Sequence, residues 1–334
     1  MRYQTLKTKH LLEGGFLKNQ KQQKQEQQNQ NQNQSRELLK KQKNQNLHQK
    51  EGVKSQALNQ LESEQKLLQI REPKNLQTPK EKISFSELKI WNECAYKHKL
   101  VYIDKLPGFK GNEYTAFGTA IHSVCERLVF DSEINKEEHF RKSFLNELKE
   151  LRDIGVELNP KMIREMKSQG EFLCKDILPS LKDYFPEYEV VSVEEELYEK
   201  FEDTGTNYKG FIDLVLKTPD GKYHIIDWKT CSWGWDMKKK SERMTTYQLT
   251  YYKNFYSKKH NIDLGNIETH FALLKRTAKK NNVELFRVTS GNRKINNALE
   301  LLKKSLSNIN SKKFIKNRLS CSRCEFKGTQ HCTS

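Results

Sequence analysis

The sequence of 334 residues contains no apolar run close to the roughly 20 residues that a membrane-spanning helix needs. Its amino terminus lacks the apolar core of a secretory signal, so we expect a protein inside the cell, in the cytoplasm or associated with the nucleoid. Cysteine is scarce, at 7 residues, and in that compartment free thiols or metal ligands are favoured over a disulfide framework. These absences exclude a membrane protein and a disulfide-stabilised secreted domain.

Acidic residues are outnumbered, since 60 Lys and Arg face 43 Asp and Glu and leave a net charge of +17. Nucleic acid is the partner that such an excess favours. Residues 1–80 carry +9 of this charge, and Gln, Asn and Lys dominate residues 18–49. That composition cannot bury enough apolar surface to offset its ordering entropy. We therefore predict a largely disordered extension over residues 1–80 and a folded domain over residues 81–334.

The stretch over residues 208–230 predicts a β-hairpin. Two runs rich in β-branched and aromatic residues flank Thr218-Pro219-Asp220-Gly221, in which Pro suits the second turn position and Gly supplies a positive φ. Paired positions in an antiparallel ladder keep a constant sum, so a Thr218–Lys222 pair continues outward to Asp213 opposite Asp227.

In this register two carboxylates lie on an apolar face. Side chains alternate along a strand, so Phe211, Asp213 and Val215 share one face of the hairpin with Asp227 and Lys229 of the second strand. Carboxylates about 5 Å apart repel by about 3 kcal/mol at an effective dielectric near 20. Mg²⁺ or Mn²⁺ would neutralise them, because hard cations prefer carboxylate oxygens. Taken alone, an Asp-x-Lys pattern is usually an ordinary surface ion pair, and it is the hairpin register that favours a metal site.

Asp213 followed by Asp227-Trp228-Lys229 resembles the PD-(D/E)XK nuclease signature, in the G-x-x-D…D-W-K-T form of the RecB-like branch. The resemblance implies an α/β fold with a restriction-endonuclease-like core, a mixed central sheet flanked by helices. It also implies that Asp213, Asp227 and the Trp228 main-chain carbonyl bind the catalytic Mg²⁺ or Mn²⁺. Lys229 would then orient the nucleophile or share the developing charge.

Two helical segments extend the resemblance. Gly118 to His122, in a predicted helix over residues 115–130, is similar to the G-x-x-x-H segment whose His binds the metal in RecB-like nucleases. A lone His at a helix edge is otherwise more often hydrogen-bonded than catalytic. Gln248, Leu249 and Tyr252, in a predicted helix over residues 241–256, match the Q-L-x-x-Y motif. The resemblance implies that Gln248 positions Lys229 or the substrate.

Several further segments are predicted from periodicity. Helices are expected over residues 136–151, from Pro160 onward with Phe172 facing inward, and over residues 296–306. Strands are expected over residues 267–275 and 283–289.

Two features leave alternatives open. In a predicted strand over residues 189–201, Glu195 lies among Val191, Val193 and Leu197 on the inner face, where it is an acidic group near the metal, the partner of a buried base, or a strand-end residue reaching solvent. After the hairpin, Trp233 and Trp235 accompany lysines, so these rings either stack on unpaired bases or pack in the core.

The remaining motif is a set of cysteines. Cys94 lies on a predicted helix that starts near Ser84 and carries it toward the protein together with Trp91, and Cys321, Cys324 and Cys332 close the chain. This set resembles the ligands of the 4Fe-4S cluster in AddB-like and CRISPR-associated RecB-like nucleases. The spacing between Cys324 and Cys332 is longer than in the family, so zinc, with His331 as a ligand, is the alternative. The other cysteines are taken as structural thiols: Cys125, Cys174 and Cys231.

These features together predict a metal-dependent DNA nuclease, with exonuclease action on single-stranded ends in recombination or repair as the favoured activity. DNA and a helicase or recombination protein are the expected partners, and no membrane is involved. The alternatives are a structure-specific endonuclease and a non-catalytic DNA-binding protein built on the same fold.

Overall fold

A six-stranded mixed β-sheet forms the centre of the fold. The computed structural model describes residues 80–202 and 204–333. Apart from Lys80, the extension predicted over residues 1–80 lies outside this range. Helices cover both faces of the sheet, which confirms the predicted fold class.

The strands are β1 (Lys82–Ser84), β2 (Glu189–Lys200), β3 (Asn207–Lys217), β4 (Tyr223–Cys231), β5 (Ile267–Lys275) and β6 (Val283–Arg287). The α-helices are α1 (Phe85–Glu93), α2 (Ala95–His98), α3 (Glu113–Leu128), α4 (Lys136–Asp153), α5 (Pro160–Tyr184), α6 (Met237–Ser241), α7 (Arg243–His260) and α8 (Asn292–Asn310). A π-helical turn follows α2 (Lys99–Ile103), and 3₁₀ turns lie at Leu264–Asn266 and Arg318–Arg323.

Strand β3 is the organising strand of the sheet. β2 runs antiparallel along one of its edges, from Glu189 opposite Lys217 to Lys200 opposite Asn207. β1 and β4 must therefore share the other edge, where β1 pairs with residues 207–209 and β4 with residues 214–217. Among the described residues, positions 210–213 of β3 have no ladder partner on that edge. Beyond β4, the sheet continues with parallel β5 and antiparallel β6.

Two apolar cores lie on opposite faces of the sheet. α3, α4 and α5 bury Leu214, Ile226 and Trp228 on one face. α1, α7 and α8 bury Tyr208, Val215 and other side chains of the second face. The β3–β4 hairpin thus lies between two helical layers.

The predicted elements are all present, although their bounds differ: α4, α7 and α8 are longer than the sequence indicated, whereas α1 ends before Cys94. Caps explain two starts: Ser84 Oγ accepts from the Glu87 N–H at 3.2 Å, and the Asn159 side chain accepts from the first turn of α5. Two inward placements were wrong, because Phe172 on α5 and Val191 on β2 are exposed to solvent.

Gly170 on α5 offers a test of the packing between α4 and α5. A Cβ atom at this position would lie 2.1 Å from Phe140 Cζ, and Phe140 is fully buried against Phe117 and Phe144. We expect Gly170→Ala to lower the free energy of unfolding by about 1–3 kcal/mol, as overpacked cores do. Urea unfolding followed by circular dichroism measures this change. Gly291→Ala, where a Cβ meets no atom within 4 Å, should change stability far less, and equal effects would contradict the packing argument.

Candidate active site

The predicted register of the hairpin is correct up to the residues before the aspartates. The turn closes with a hydrogen bond from Thr218 N–H to the Lys222 carbonyl at 3.0 Å, and the ladder continues to Leu214 opposite Ile226. Asp213 and Asp227 would form the next pair, but the ladder ends there. Instead Asp213 Oδ2 accepts a hydrogen bond from the Trp228 N–H at 2.7 Å. The carboxylate thus replaces the main chain of β3 as the partner of β4.

The separation of β3 from β4 corrects the predicted face. Ile212 and Val215 pack in the same core although their positions differ by three, which regular alternation would place on opposite faces, so alternation breaks at Asp213. Phe211, predicted to share the face of Asp213, is 44% exposed. The break turns the Asp213 side chain into the gap between the strands.

Asp227 and Lys229 line the β4 side of this gap. Asp227 is 1% exposed, and Lys229 Nζ lies 2.5 Å from its Oδ2. The approach lacks hydrogen-bond geometry, so among the described residues this buried oxygen has no hydrogen-bond donor. A buried, incompletely satisfied carboxylate oxygen is what a hard cation coordinates.

The charges of the three side chains are interdependent. Burial, followed by the carboxylate of Asp227, raises the pKa of Asp213 well above its usual value, and Lys229 opposes the rise. Burial alone would lower the pKa of Lys229, but Asp227 and Asp213 outweigh it and raise that pKa. Lys229 therefore carries its positive charge in this site, while the pair of carboxylates retains an unfavourable interaction that a divalent cation would remove.

His122 reaches the same gap from α3. Its Nδ1 lies 3.8 Å from Asp213 Oδ2. Burial lowers the pKa of His122, opposed by Asp227 and by a hydrogen bond to the Trp228 main chain. A neutral imidazole is the form that binds metals. Gly118 lies one turn earlier, where a Cβ would be in ordinary van der Waals contact with Thr230 Oγ1, at 3.4 Å.

Gln248 and Tyr252 of α7 close the opposite side. Gln248 Nε2 donates to the Tyr252 hydroxyl at 3.0 Å. Burial, followed by the negative charge of Asp227, raises the pKa of Tyr252. The ring fits against β3 because position 210 is glycine: a Cβ there would lie 3.0 Å from it.

Glu195 does not lie where an additional metal ligand is expected. Its Oε1 accepts from Lys259 Nζ at 2.8 Å and lies 2.5 Å from His260 Nε2, so it pairs with bases at the end of α7. The neighbouring Glu194 adopts a left-handed φ of 50° at a point where β2 passes Asp213. Its charge raises the pKa values of Asp213 and Tyr252.

Sequence reasoning missed Glu194. Three consecutive glutamates, at residues 194–196, indicate an acidic group on this strand. The sequence does not show which of them has the left-handed backbone that changes the direction of the side chains, because no glycine marks the position.

The four predicted cysteine ligands gather around one cavity of about 270 Å³, whose lining includes Cys94, Cys321, Cys324 and Cys332. The helix predicted to carry Cys94 ends at Glu93 instead, and Cys94 has extended backbone between α1 and α2. Its Sγ accepts from the Asn317 N–H at 3.3 Å. Among the residues described, no three cysteine sulfurs lie within 4.8 Å of one another.

Another cluster of titratable side chains lies where β4 and β5 begin. His224 Nδ1 and His270 Nε2 are 3.1 Å apart, beside Glu268. Burial lowers the pKa of both histidines, that of His270 to about 3, so the pair is neutral. Glu268 already contacts Lys222 and Arg287, each at 3.3 Å. These contacts satisfy the cluster as a structural network of hydrogen bonds and ion pairs.

Comparison with known proteins identifies the family of this fold and site. The model of the PD-(D/E)XK nuclease superfamily matches residues 82–329. The chain belongs to this superfamily.

Two solved structures are similar to the chain. One, named "Putative exonuclease" and from Eubacterium rectale, has 14% sequence identity and a TM-score of 0.44, and the match covers 73% of this chain and 86% of that chain. The other, SSO0001, also has 14% identity, with a TM-score of 0.36 and coverage of 82% of this chain and 94% of that chain. A search of curated proteins gave no significant match. No helix within residues 80–202 and 204–333 is long and apolar enough to cross a membrane.

The effect of Asp213→Asn tests the electrostatics of the site. Because the pKa of Asp213 is raised in the folded state, the native protein binds a proton more tightly than the unfolded chain. The stability of the metal-free wild type should therefore fall as pH rises from about 4, the unfolded pKa, through the raised folded value. We expect the variant to lose this dependence and to be more stable than the wild type in EDTA at neutral pH.

The same variant should also lose most of the stabilisation that Mg²⁺ or Mn²⁺ gives the wild type, because one carboxylate ligand is gone. Thermal unfolding in EDTA and in each metal measures both effects. Asp183→Asn, at an exposed position of α5, should leave them unchanged. A metal-dependent shift in melting temperature that survives Asp213→Asn would contradict the assignment of this ligand.

Proposed function

We propose that this protein is a metal-dependent DNA nuclease that hydrolyses phosphodiester bonds. The observation that carries the proposal is the gathering of Asp213, Asp227, His122 and Lys229 in the gap where β3 and β4 separate. Membership of the PD-(D/E)XK nuclease superfamily supports the reaction class. The net charge of +17 supports a polyanionic substrate.

The residues of the gap suit Mg²⁺ or Mn²⁺. Two carboxylates, one with a buried oxygen that lacks a hydrogen-bond donor, and a neutral imidazole would hold the ion, and the Trp228 carbonyl lies beside His122 as a further oxygen ligand. When bound, the ion supplies an activated water and stabilises the charge that develops on the phosphate. Glu194 lies close enough to add negative charge to this site.

Lys229 is the cation of the site that the protein itself provides. Its contact with Asp227 and its raised pKa keep it protonated beside the position of the scissile phosphate. From there it orients the attacking water or shares the negative charge of the transition state. Gln248 donates a hydrogen bond to Tyr252, whose ring packs on β3 at Gly210. These contacts keep α7 against β3 and thereby position the carboxylates.

We favour exonuclease action on single-stranded DNA ends, in recombination or repair and with a helicase as partner, by analogy with the RecB-like branch. A structure-specific endonuclease is the second candidate, and circular single-stranded DNA separates the two because only an endonuclease cleaves it. The intact acid pair and lysine argue against a protein that only binds DNA.

Lys229→Ala tests the chemistry. The variant should lose cleavage of end-labelled single-stranded DNA in Mg²⁺ or Mn²⁺ while retaining most of its DNA binding, because the lysine acts on the transition state. Gel-based cleavage and fluorescence anisotropy measure the two properties, with EDTA as the zero-activity reference. Lys259→Ala, which removes a cation paired with Glu195, is the control and should remain active. Wild-type turnover in the Lys229→Ala variant would remove the lysine from the mechanism.

We also propose that the four cysteines around the cavity hold a 4Fe-4S cluster. A cavity of about 270 Å³ between four thiols suits a multi-atom cluster better than one zinc ion, whose bonds of about 2.3 Å would draw the sulfurs into near contact. The N–H of Asn317 directed at Cys94 Sγ is a hydrogen bond of the kind that tunes such clusters. The cluster would fasten the start of the folded domain to its end.

Cys94→Ala tests this cluster. Anaerobically purified wild type should be brown and contain iron and acid-labile sulfide, whereas the variant should be colourless. It should also unfold more readily, because the loop from Cys94 to Cys321 is no longer closed, a constraint worth about 5 kcal/mol by analogy with a long-range disulfide. Cys231→Ala, a partly buried cysteine outside the cavity, should stay brown. Stoichiometric zinc in a colourless wild type would replace the cluster by a zinc site.

A further inference from the structure

The two tryptophans in the segment between β4 and α6, which the sequence treated alike, differ in their exposure to solvent. Trp235 packs into the core, with its ring 5.2 Å from that of Phe271. Trp233 is 77% exposed. Exposure of a ring of this size forgoes the free energy that its burial would contribute, and it leaves an aromatic face free for stacking.

The exposed ring is carried by a fixed segment rather than by a loose loop. The carbonyl of Cys231 accepts from the Arg276 N–H at 2.8 Å, and the carbonyl of Ser232 accepts from the Thr277 N–H at 3.1 Å. The partly buried ring of Trp235, packed against Phe271 and Phe286, anchors the other side. Because both ends are held, a ligand that contacts Trp233 would pay little entropy for ordering this segment.

Trp233 also lies near the proposed catalytic centre. It follows Lys229 by four positions, so their Cα atoms are at most about 14 Å apart. A few nucleotides of a single strand span that distance. The ring is therefore within reach of bases on the strand whose phosphate lies at Asp213 and Asp227.

The surroundings of this segment are cationic and include a second aromatic side chain. The guanidinium of Arg276 lies over the ring of Tyr114, 5.4 Å from its centroid, and bonds Ser232 Oγ at 3.1 Å. Tyr114 is 49% exposed on the first turn of α3, the helix that supplies His122. Exposed Lys279 and Lys280 lie in the same connecting segment as Arg276, and exposed Lys238 lies on α6, directly after the segment that carries Trp233.

We infer that Trp233 stacks on an unpaired base of the strand being cleaved and thereby selects single-stranded over duplex DNA. This inference rests on the proposed nuclease function and adds to it the residue that reads the state of the strand. An aromatic face stacks on any unpaired base, whereas bases in a duplex already stack on one another and pair. Cations beside the ring contact the phosphates of the same strand.

Steady-state kinetics test the inference through its effect on binding. Trp233→Ala should raise KM for a single-stranded oligonucleotide about tenfold or more, from the loss of one base–aromatic stack, and leave kcat at saturation within about twofold. Trp233→Phe should restore most of the affinity because it keeps a stacking ring. Phe130→Ala removes an exposed aromatic side chain at the other end of α3 and should leave KM unchanged. Equal KM values for wild type and Trp233→Ala would overturn the inference while the nuclease assignment stands.

Fluorescence gives a readout that does not require cleavage. In a Lys229→Ala background, binding of a single-stranded oligonucleotide should quench tryptophan emission, and a blunt duplex should quench it much less. Adding Trp233→Phe should remove most of the quenching, since of the four tryptophans in the sequence Trp91 and Trp228 are buried and Trp235 is partly buried against Phe271 and Phe286. Undiminished quenching without Trp233, or quenching that is equal for duplex DNA, would overturn the inference. A wild type that cleaves no DNA would instead remove the proposed function, and this titration would still report on stacking.

Discussion

Burial of two carboxylates side by side requires compensation, and the structure around Asp213 and Asp227 supplies it. The main-chain pairing of β3 with β4 ends at this point, so the Asp213 side chain can accept a hydrogen bond from the Trp228 N–H. Lys229 compensates the charge of Asp227 from the same strand. One acceptor remains incompletely satisfied on Asp227, and the pKa of Asp213 stays raised. The repulsion between the two buried carboxylates is therefore only partly compensated, and a divalent cation would remove the rest.

The same gap explains one glycine in the strands around it. Gly210 permits the ring of Tyr252 to lie on β3, because a Cβ there would lie 3.0 Å from that ring, and α7 thereby covers this side of the gap. At Gly118 on α3 a Cβ would make an ordinary van der Waals contact, 3.4 Å from Thr230 Oγ1. α3 brings His122 to the carboxylates from the other side.

Much of the site could be predicted because it depends on local rules. The turn at Thr218 to Gly221 determines the register, and the register brings Asp213 to the level of Asp227. The G-x-x-x-H spacing from Gly118 to His122 then predicts that the imidazole lies at the same site, once the family resemblance is recognised. The mixed sheet with helices on both faces follows from the alternation of strand and helix patterns.

The parts that sequence reasoning missed depend on tertiary contacts. The left-handed Glu194 replaces Glu195 beside the site, and nothing in three consecutive glutamates marks which one changes direction. α1 ends before Cys94 because segments distant in sequence meet there: the main chain of Ile315 and Asn317 lies against this residue. Trp233 and Trp235 share one pattern, and only the packing of Phe271 and Phe286 decides which ring is buried.

The central claim is that the gap between β3 and β4 is a divalent-cation site, and anomalous X-ray scattering from crystals soaked in Mn²⁺ tests it most directly. The account predicts a peak within coordination distance of Asp213, Asp227 and His122, and its loss in crystals of Asp227→Asn. An empty gap, or manganese bound only at His224 and His270, would contradict it.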